Sequence, residues 1–329
     1  MRVAINGTGR IGRLLMRRLL EMEEFDLVAV NDLMPIENLI YLFKYDSLFG
    51  AYSHQVTSQG EYLMTGNRKI QVLNEPDPGK LPWAALGIDV VLECSGKFIS
   101  QEAASDHLKA GAKRVLLSTT GLADIPLLIY GFNHSGLTDA QRIISPGGCM
   151  TNCAIHVLYL LNSISIRSAH INFIHSYTSR QSLVDSANGN FRRGRAASES
   201  IIPVSIDLKQ SLERLMPGIK GKIEATSTRV PVANGALGIF SVQLNDEVSS
   251  GQINEVFKKA AANAYSGIIQ YTEEPIVSLD VKGNSHSCII DGSLTSVVGN
   301  HVTVSAWFDN EYGYTSRIID WLKLIHQPR

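Results

Sequence analysis

An apolar opening run, Arg2-Val3-Ala4-Ile5-Asn6, leads directly into Gly7-Thr8-Gly9-Arg10-Ile11-Gly12, and apolar residues then recur at helical spacing from Arg10 to Met22. Few local sequences limit a fold so tightly. Glycines between a strand and a helix permit a sharp turn and close backbone approach, and they leave the helix's first N–H groups facing an anion such as a pyrophosphate. Leu27 to Asn31 reads as a second strand, and Asp32 falls at its end, 20 residues after Gly12. A carboxylate there accepts hydrogen bonds from a ribose diol and repels a 2′-phosphate, so the pattern favours NAD over NADP. Asn6, Gly7, Gly9, Arg10, Ile11, Gly12 and Asp32 are therefore candidate cofactor residues. Asp32 as a plain turn cap is the alternative.

Two further aliphatic runs, Asp89 to Cys94 and Arg114 to Ser118, continue the alternation of strand and helix signals expected of a doubly wound parallel sheet. Ser95 and Gly96, with Ser118 and Thr119, sit at those strand ends, the edge where such sheets hold ligands. The texture changes near Cys149. A helix is expected over about 151–161, followed by alternating strands at 170–177, 222–230, 238–244 and 301–308. Helices are expected near 207–215 and 252–264, and Ile318, Ile319, Leu322 and Ile325 mark one more close to the C-terminus. This second half reads as an α+β domain with a mixed or antiparallel sheet. The boundaries expected are 1–148 for the cofactor domain, joined by a C-terminal helix at 314–329, and 149–313 for the catalytic domain.

The chain's 329 residues suit two cores, and its net charge of −1 contains no basic block that would imply nucleic acid or an anionic membrane. Apolar runs such as Ile125 to Phe132 are too short to span a bilayer. The opening strand leaves no room for a signal peptide. Cys94, Cys149, Cys153 and Cys288 follow neither a disulfide framework nor a metal pattern, so a reducing cytoplasm is expected and no metal.

Cys149 lies in Ser145-Pro146-Gly147-Gly148-Cys149-Met150-Thr151-Asn152-Cys153, where a helix begins. A helix N-terminus favours the thiolate, so a lowered thiol pKa is expected. His175 ends the apolar run Ile171-Asn172-Phe173-Ile174 and is the natural proton partner. Thiol attack on an aldehyde, loss of hydride to a nicotinamide and a thioester product would use this pair. A buried inert cysteine and a core histidine are the bland alternatives; Cys153, one turn on, reads as packing.

At larger scale the chain resembles the glyceraldehyde-3-phosphate dehydrogenases. The resemblance rests on Asn6-Gly7-x-Gly9-Arg10-Ile11-Gly12-Arg13, Lys44-Tyr45-Asp46-Ser47, Cys149-x-Thr151-Asn152-Cys153, His175-Ser176-Tyr177-Thr178, Arg195-Ala196-Ala197, Arg229-Val230-Pro231 and Trp307-Phe308-Asp309-Asn310-Glu311-Tyr312-Gly313-Tyr314, in order along essentially the whole chain. It implies Cys149 as nucleophile and His175 as base and oxyanion partner. It implies Asn310 at the nicotinamide carboxamide and Tyr314 near the ring. Thr178, Arg229 and Arg195 would bind the phosphate of a phosphorylated sugar aldehyde. It also implies a homotetramer, with residues 179–201 reaching across a subunit interface.

The resemblance breaks at the second anion site. Where the family places hydroxyl side chains and a Thr-Gly pair for inorganic phosphate, this chain has Gly148, Met150, Ile206 and Asp207. Three neutral hydrogen bonds of about 1 kcal/mol each would weaken phosphate by roughly two orders of magnitude. Asp207 would add repulsion if it points inward. Phosphorolysis of the thioester is thus the default with weak phosphate binding. Erythrose-4-phosphate dehydrogenase, which releases its acid to water, is the close alternative, and a catalytically impaired NAD-binding scaffold is a further one. Nothing in the sequence explains Gly147, Gly148 or Met150.

Overall fold

The computed structural model describes residues 1–327. The chain divides into two compact units, one comprising Met1–Gly148 with the described residues from Arg317 on, the other Cys149–Ser316. The last two positions of the helix expected at 314–329 lie outside the described residues.

The first unit contains β1 (Arg2–Asn6), α1 (Arg10–Leu20), β2 (Asp26–Asn31), α2 (Ile36–Lys44), β3 (Tyr45–Asp46), β4 (Gly50–Ala51), β5 (Val56–Gln59), β6 (Tyr62–Thr65), β7 (Arg68–Leu73), β8 (Val90–Glu93), α3 (Gln101–Lys109), β9 (Arg114–Leu117) and β10 (Ile143–Ile144). Its sheet has the order β10-β9-β8-β1-β2-β7-β6-β5. The pairs from β10 through to β7 are parallel, whereas β7-β6 and β6-β5 are antiparallel. Sequence alternation led to an all-parallel expectation, so the hairpin on one edge is an addition to it. β1 and β8 are buried almost throughout, as strands covered on both faces must be. The winding reverses between β1 and β8, and the turns after these two strands carry Gly7 and Ser95. α1 buries Leu14, Leu15, Met16 and Leu19, but also two arginines. Arg13 Nη1 donates to the carbonyl of Thr8 at 2.7 Å, holding the glycine turn to its helix.

The second unit contains α4 (Cys149–Asn162), β11 (Ile166–Ser176), β12 (Ile202–Val204), α5 (Leu208–Leu215), β13 (Ile223–Val230), β14 (Ala236–Leu244), α6 (Ser250–Ala262), β15 (Ile269–Thr272), β16 (Cys288–Val298) and β17 (His301–Phe308), and α7 (Tyr312–His326) begins in it. The sheet order is β12-β13-β11-β14-β17-β16-β15. It is mixed: β11/β13 and β15/β16 are parallel and the other pairs antiparallel. α4 buries Cys153, Ala154, Val157, Leu158 and Leu161. The rings of Phe240 and Phe308 meet Phe173 edge-on at 5.8 and 5.7 Å. Gly238 pairs opposite Phe173, and a methyl group there would lie 2.7 Å from that ring. Among the described residues no helix is long and apolar enough to cross a membrane.

Candidate active site

In the first unit the glycine turn is built for close approach. Gly7 has φ +94°, and a side chain on it would meet the Ser95 backbone nitrogen at 2.4 Å; one on Gly12 would meet the Gly7 carbonyl at 2.1 Å. At Gly9, by contrast, a methyl group would touch nothing, and no side chain caps α1. A helix N-terminus left open in this way suits a pyrophosphate. Asp32 Oδ2 accepts from the Thr8 backbone N–H at 2.6 Å and the Thr8 hydroxyl at 2.8 Å, and Oδ1 accepts from Met34 N–H at 3.1 Å. The turn-capping role of Asp32 is thus present in the unit by itself. Arg10 reaches Asp46 at 2.5 Å, so within this unit its guanidinium braces the turn after α2.

Behind the turn lies a buried polar chain that sequence reading missed. Glu93, fully buried at the end of β8, accepts four hydrogen bonds: Ser95 N–H (2.8 Å) and hydroxyl (2.5 Å) on Oε1, Asn6 amide (2.6 Å) and His107 Nε2 (3.0 Å) on Oε2. His107 Nδ1 accepts from Trp83 Nε1 at 3.0 Å, which places the ring proton on Nε2, facing Glu93. Asn6 Oδ1 in turn accepts from the Asn31 amide at 2.7 Å. The two expected cofactor positions Asn6 and Ser95 therefore share one carboxylate. At the neighbouring strand end, Ser118 N–H bonds back to the Glu93 carbonyl, and the Thr119 carbonyl accepts from the Ser145 hydroxyl at 2.5 Å. Gly96 has φ +69° with open space beside it.

In the second unit Cys149 is the first residue of α4 and His175 the penultimate residue of β11. The Sγ···Nε2 distance is 3.7 Å. His175 Nδ1 lies 2.8 Å from the Ser176 carbonyl, which fixes the proton on Nδ1 and turns the Nε2 lone pair towards the sulfur. The expectation of a lowered thiol pKa does not hold in this arrangement. Burial pushes the Cys149 thiol up to about 11, outweighing the Arg229 charge and the N–H groups of Cys149 and Met150 that favour the thiolate. Burial, aided by the Arg229 charge, takes His175 down to about 3. The pair is thus a neutral thiol hydrogen-bonded to a neutral imidazole, poised for proton transfer during attack.

Arg229 lies beside His175 because the two are register partners on the parallel strands β13 and β11. Its Nη1 donates to the Ser176 carbonyl at 3.2 Å, whereas its buried Nε has no hydrogen-bond partner among the described residues. Burial lowers its pKa to about 10; the Cys149 sulfur opposes this, and the charges of Arg193 and Arg180 add to it. Thr178 N–H and hydroxyl both donate to Gln181 Oε1, at 3.0 and 2.9 Å. The Arg195 Nε pairs with Asp185 at 3.0 Å, with both side chains mostly exposed. Arg193, two residues earlier, and Arg180 are both within electrostatic reach of Arg229. The available signal was Asp185, the one acid between positions 178 and 195, which could claim only one of the arginines. Asn310 Oδ1 accepts from Gly235 N–H at 2.9 Å and from the Ser176 hydroxyl at 3.1 Å, leaving its amide N–H groups to act as donors. Tyr314 is buried in the first turn of α7, whose start is capped by Asp309 through Glu311 and Tyr312 N–H.

The altered anion positions are apolar or solvated. Ile206 packs on the cluster of Ala197, Ile202 and Val204, together with Tyr177. Asp207 is exposed ahead of α5 and its side chain caps nothing. Among the described residues no group of three or more His, Cys, Asp or Glu is disposed to hold a metal.

Residues 1–101 match the family described as glyceraldehyde 3-phosphate dehydrogenase, NAD binding domain, and residues 148–310 match the C-terminal domain of the same family. A relative from Bacillus subtilis (strain 168), glyceraldehyde-3-phosphate dehydrogenase 2, is 38% identical over 327 residues, covering 98% of this chain and 96% of its own.

Proposed function

Because the chain belongs to the glyceraldehyde-3-phosphate dehydrogenase family and is an NAD-dependent dehydrogenase, we propose that it oxidises glyceraldehyde 3-phosphate through a covalent Cys149 intermediate. The observation that carries this reading is the 3.7 Å approach of a thiol to an imidazole whose far nitrogen is already committed. As Sγ attacks the aldehyde carbon, its proton passes to His175 Nε2. The imidazolium returns that proton to the alkoxide, giving a thiohemiacetal, and removes it again as the carbon is oxidised to the thioester. Bound NAD supplies the hydride acceptor. The turn from Asn6 to Gly12, with Asp32, Ser95, Gly96, Ser118, Thr119, Asn310 and Tyr314, is assigned to holding it. Thr178 and Arg229 are assigned to the substrate phosphoryl group, and Arg193 takes the place first given to Arg195.

Inorganic phosphate then attacks the thioester, forming the acyl phosphate and releasing the sulfur. A second reading, hydrolysis of the thioester with erythrose 4-phosphate as substrate, is favoured by the apolar Ile206 and by the lack of hydroxyls at Gly148 and Met150. The exposure of Asp207 supports the phosphorolytic reading, since an outward carboxylate adds little repulsion.

We assign a homotetramer on the exposure of Leu183, Val184, Phe191 and Ile201, four large apolar side chains in the loop expected at a subunit interface. Four free thiols fit a cytoplasmic setting. The deciding assay mixes enzyme, NAD and each aldehyde phosphate, first without inorganic phosphate and then across a phosphate series. A burst of one NADH per site and saturable phosphate dependence with the three-carbon aldehyde is the expected result. Turnover indifferent to phosphate supports hydrolysis, and the lack of a burst with either aldehyde overturns the thioester route.

A further inference from the structure

Arg180 has no part in the assignments above, and its position gives it one. It lies in the turn that follows β11, between Thr178 and the buried Gln181. The backbone of this segment is tied to the segment carrying Arg193: Ser182 N–H donates to the Arg193 carbonyl at 3.0 Å, and Ala197 N–H to the Ser182 carbonyl at 3.0 Å. Arg180 and Arg193 are thereby brought to the same end of the sheet as Arg229, and each acts electrostatically on Arg229. Asp185, the only acid in this stretch, is bound by Arg195 and by the Ala196 N–H.

We propose that Arg180 is the third guanidinium of a phosphate site formed with Arg193 and Arg229. The inference rests on the reading of the chain as an aldehyde-phosphate dehydrogenase, and it adds a residue that this reading alone does not supply. The surface is made of donors. Arg229 Nε and Gln181 Nε2 are both buried without a hydrogen-bond partner among the described residues, and Gln181 is fixed in place by the two hydrogen bonds it accepts from Thr178. Like charges gathered around Arg229 with its unanswered Nε donor are complementary to an anion that only accepts. A phosphate dianion matches them because each planar guanidinium can bind two of its oxygens. The phosphate is either the phosphoryl group of the aldehyde substrate or free inorganic phosphate.

The test uses the full-length enzyme with Arg180→Gln and Arg180→Lys. The side chain is exposed, so both variants should keep the wild-type melting temperature. KM is measured separately for the aldehyde phosphate and for inorganic phosphate, and inorganic phosphate is also titrated calorimetrically into NAD-saturated enzyme. Loss of one charge-assisted contact should raise KM for one anion about tenfold with kcat little changed, and Lys should restore part of the loss. A rise for the aldehyde alone assigns the substrate phosphoryl group, a rise for phosphate alone assigns the free ion, and a rise for both assigns a shared site. Unchanged KM for both anions and unchanged phosphate affinity overturn the proposal. If wild-type enzyme oxidises neither aldehyde phosphate, the functional reading fails, and the titration alone decides the role of Arg180: equal affinity in wild type and Arg180→Gln overturns it.

Discussion

Replacing Glu93 by Gln removes a single charge from a buried site and reverses one half of its hydrogen bonding. Four donors converge on the two oxygens of this carboxylate. Whichever way the new amide lies, its NH2 confronts two N–H or O–H donors. If it faces Ser95, the hydroxyl can rotate to accept, but the Ser95 N–H loses its partner. If it faces Asn6 and His107, neither can adapt: Asn6 Oδ1 is held by Asn31, and His107 Nδ1 by Trp83. The first arrangement is therefore adopted. A lost hydrogen bond to a charged group costs about 1.5–3 kcal/mol, and a buried orphan donor adds to this, so the variant should lose about 2–4 kcal/mol. With an ordinary urea dependence for a unit of this size, that lowers the unfolding midpoint of the first unit by about 1 M. Asn6 and Ser95 lose their common anchor, so NAD affinity should fall about tenfold on the same energy scale. Urea unfolding followed by tryptophan fluorescence reports the first unit through Trp83, inside the network, and Trp321, and NAD titration gives the second number. A midpoint within 0.2 M of wild type together with an NAD affinity within about twofold would refute the claim that Glu93 organises the turn.

Cys149→Ser should abolish NADH formation while leaving NAD affinity within about twofold, and full activity would remove the sulfur from the nucleophile role. His175→Asn should slow turnover by about 10²–10⁴-fold. The same variant carries a pH signature in stability. The folded His175 titrates near 3 and the unfolded residue near 6.5, so its contribution is complete above pH 6.5 and is lost as pH falls towards 3. By pH 5 the wild type should have lost about 2 kcal/mol that His175→Asn keeps, and equal acid sensitivity in urea melts at pH 7.5 and 5 would contradict a neutral buried imidazole. On the proposed tetramer, Phe191→Asp should shift the sedimentation profile towards smaller species than wild type, and an unchanged profile would exclude Phe191 from the interface.

Legibility in the sequence followed from how local each cause is. Gly7, Gly12 and Asp32 were readable because a strand-to-helix turn imposes its own spacing, and Cys149 with His175 because each closes or opens a regular element. The strand Cys288–Val298 was missed: Gly292 interrupts it, and the reason for that glycine is a distant tyrosine, since a side chain there would strike the Tyr271 hydroxyl. The edge hairpin at 56–65 is polar on its open side and gave little alternation. Arg193 and Arg195 stand two apart in a loop with no period, so only the placement of Asp185 separates them. The thiol pKa was misjudged because a helix start is visible in sequence whereas the protein packed around the sulfur is not. The Glu93 network joins residues from 6 to 107, a separation that no local pattern records.

The register of β11 against β13 has one more consequence. Adjacent parallel strands are about 4.8 Å apart, and the ladder that sets His175 beside Arg229 continues on both sides of them through Ile174/Thr228 and Ser176/Val230. The His175 imidazole and the buried Arg229 guanidinium are thus mounted on one stiff lattice and cannot drift apart without breaking backbone hydrogen bonds. If His175 serves the reacting carbon and Arg229 the phosphoryl group, as proposed, the span between the two ends of the substrate is a fixed dimension of this sheet. Any adjustment to longer or shorter sugars falls to the surrounding loops, and above all to the arginine-bearing stretch from 178 to 195.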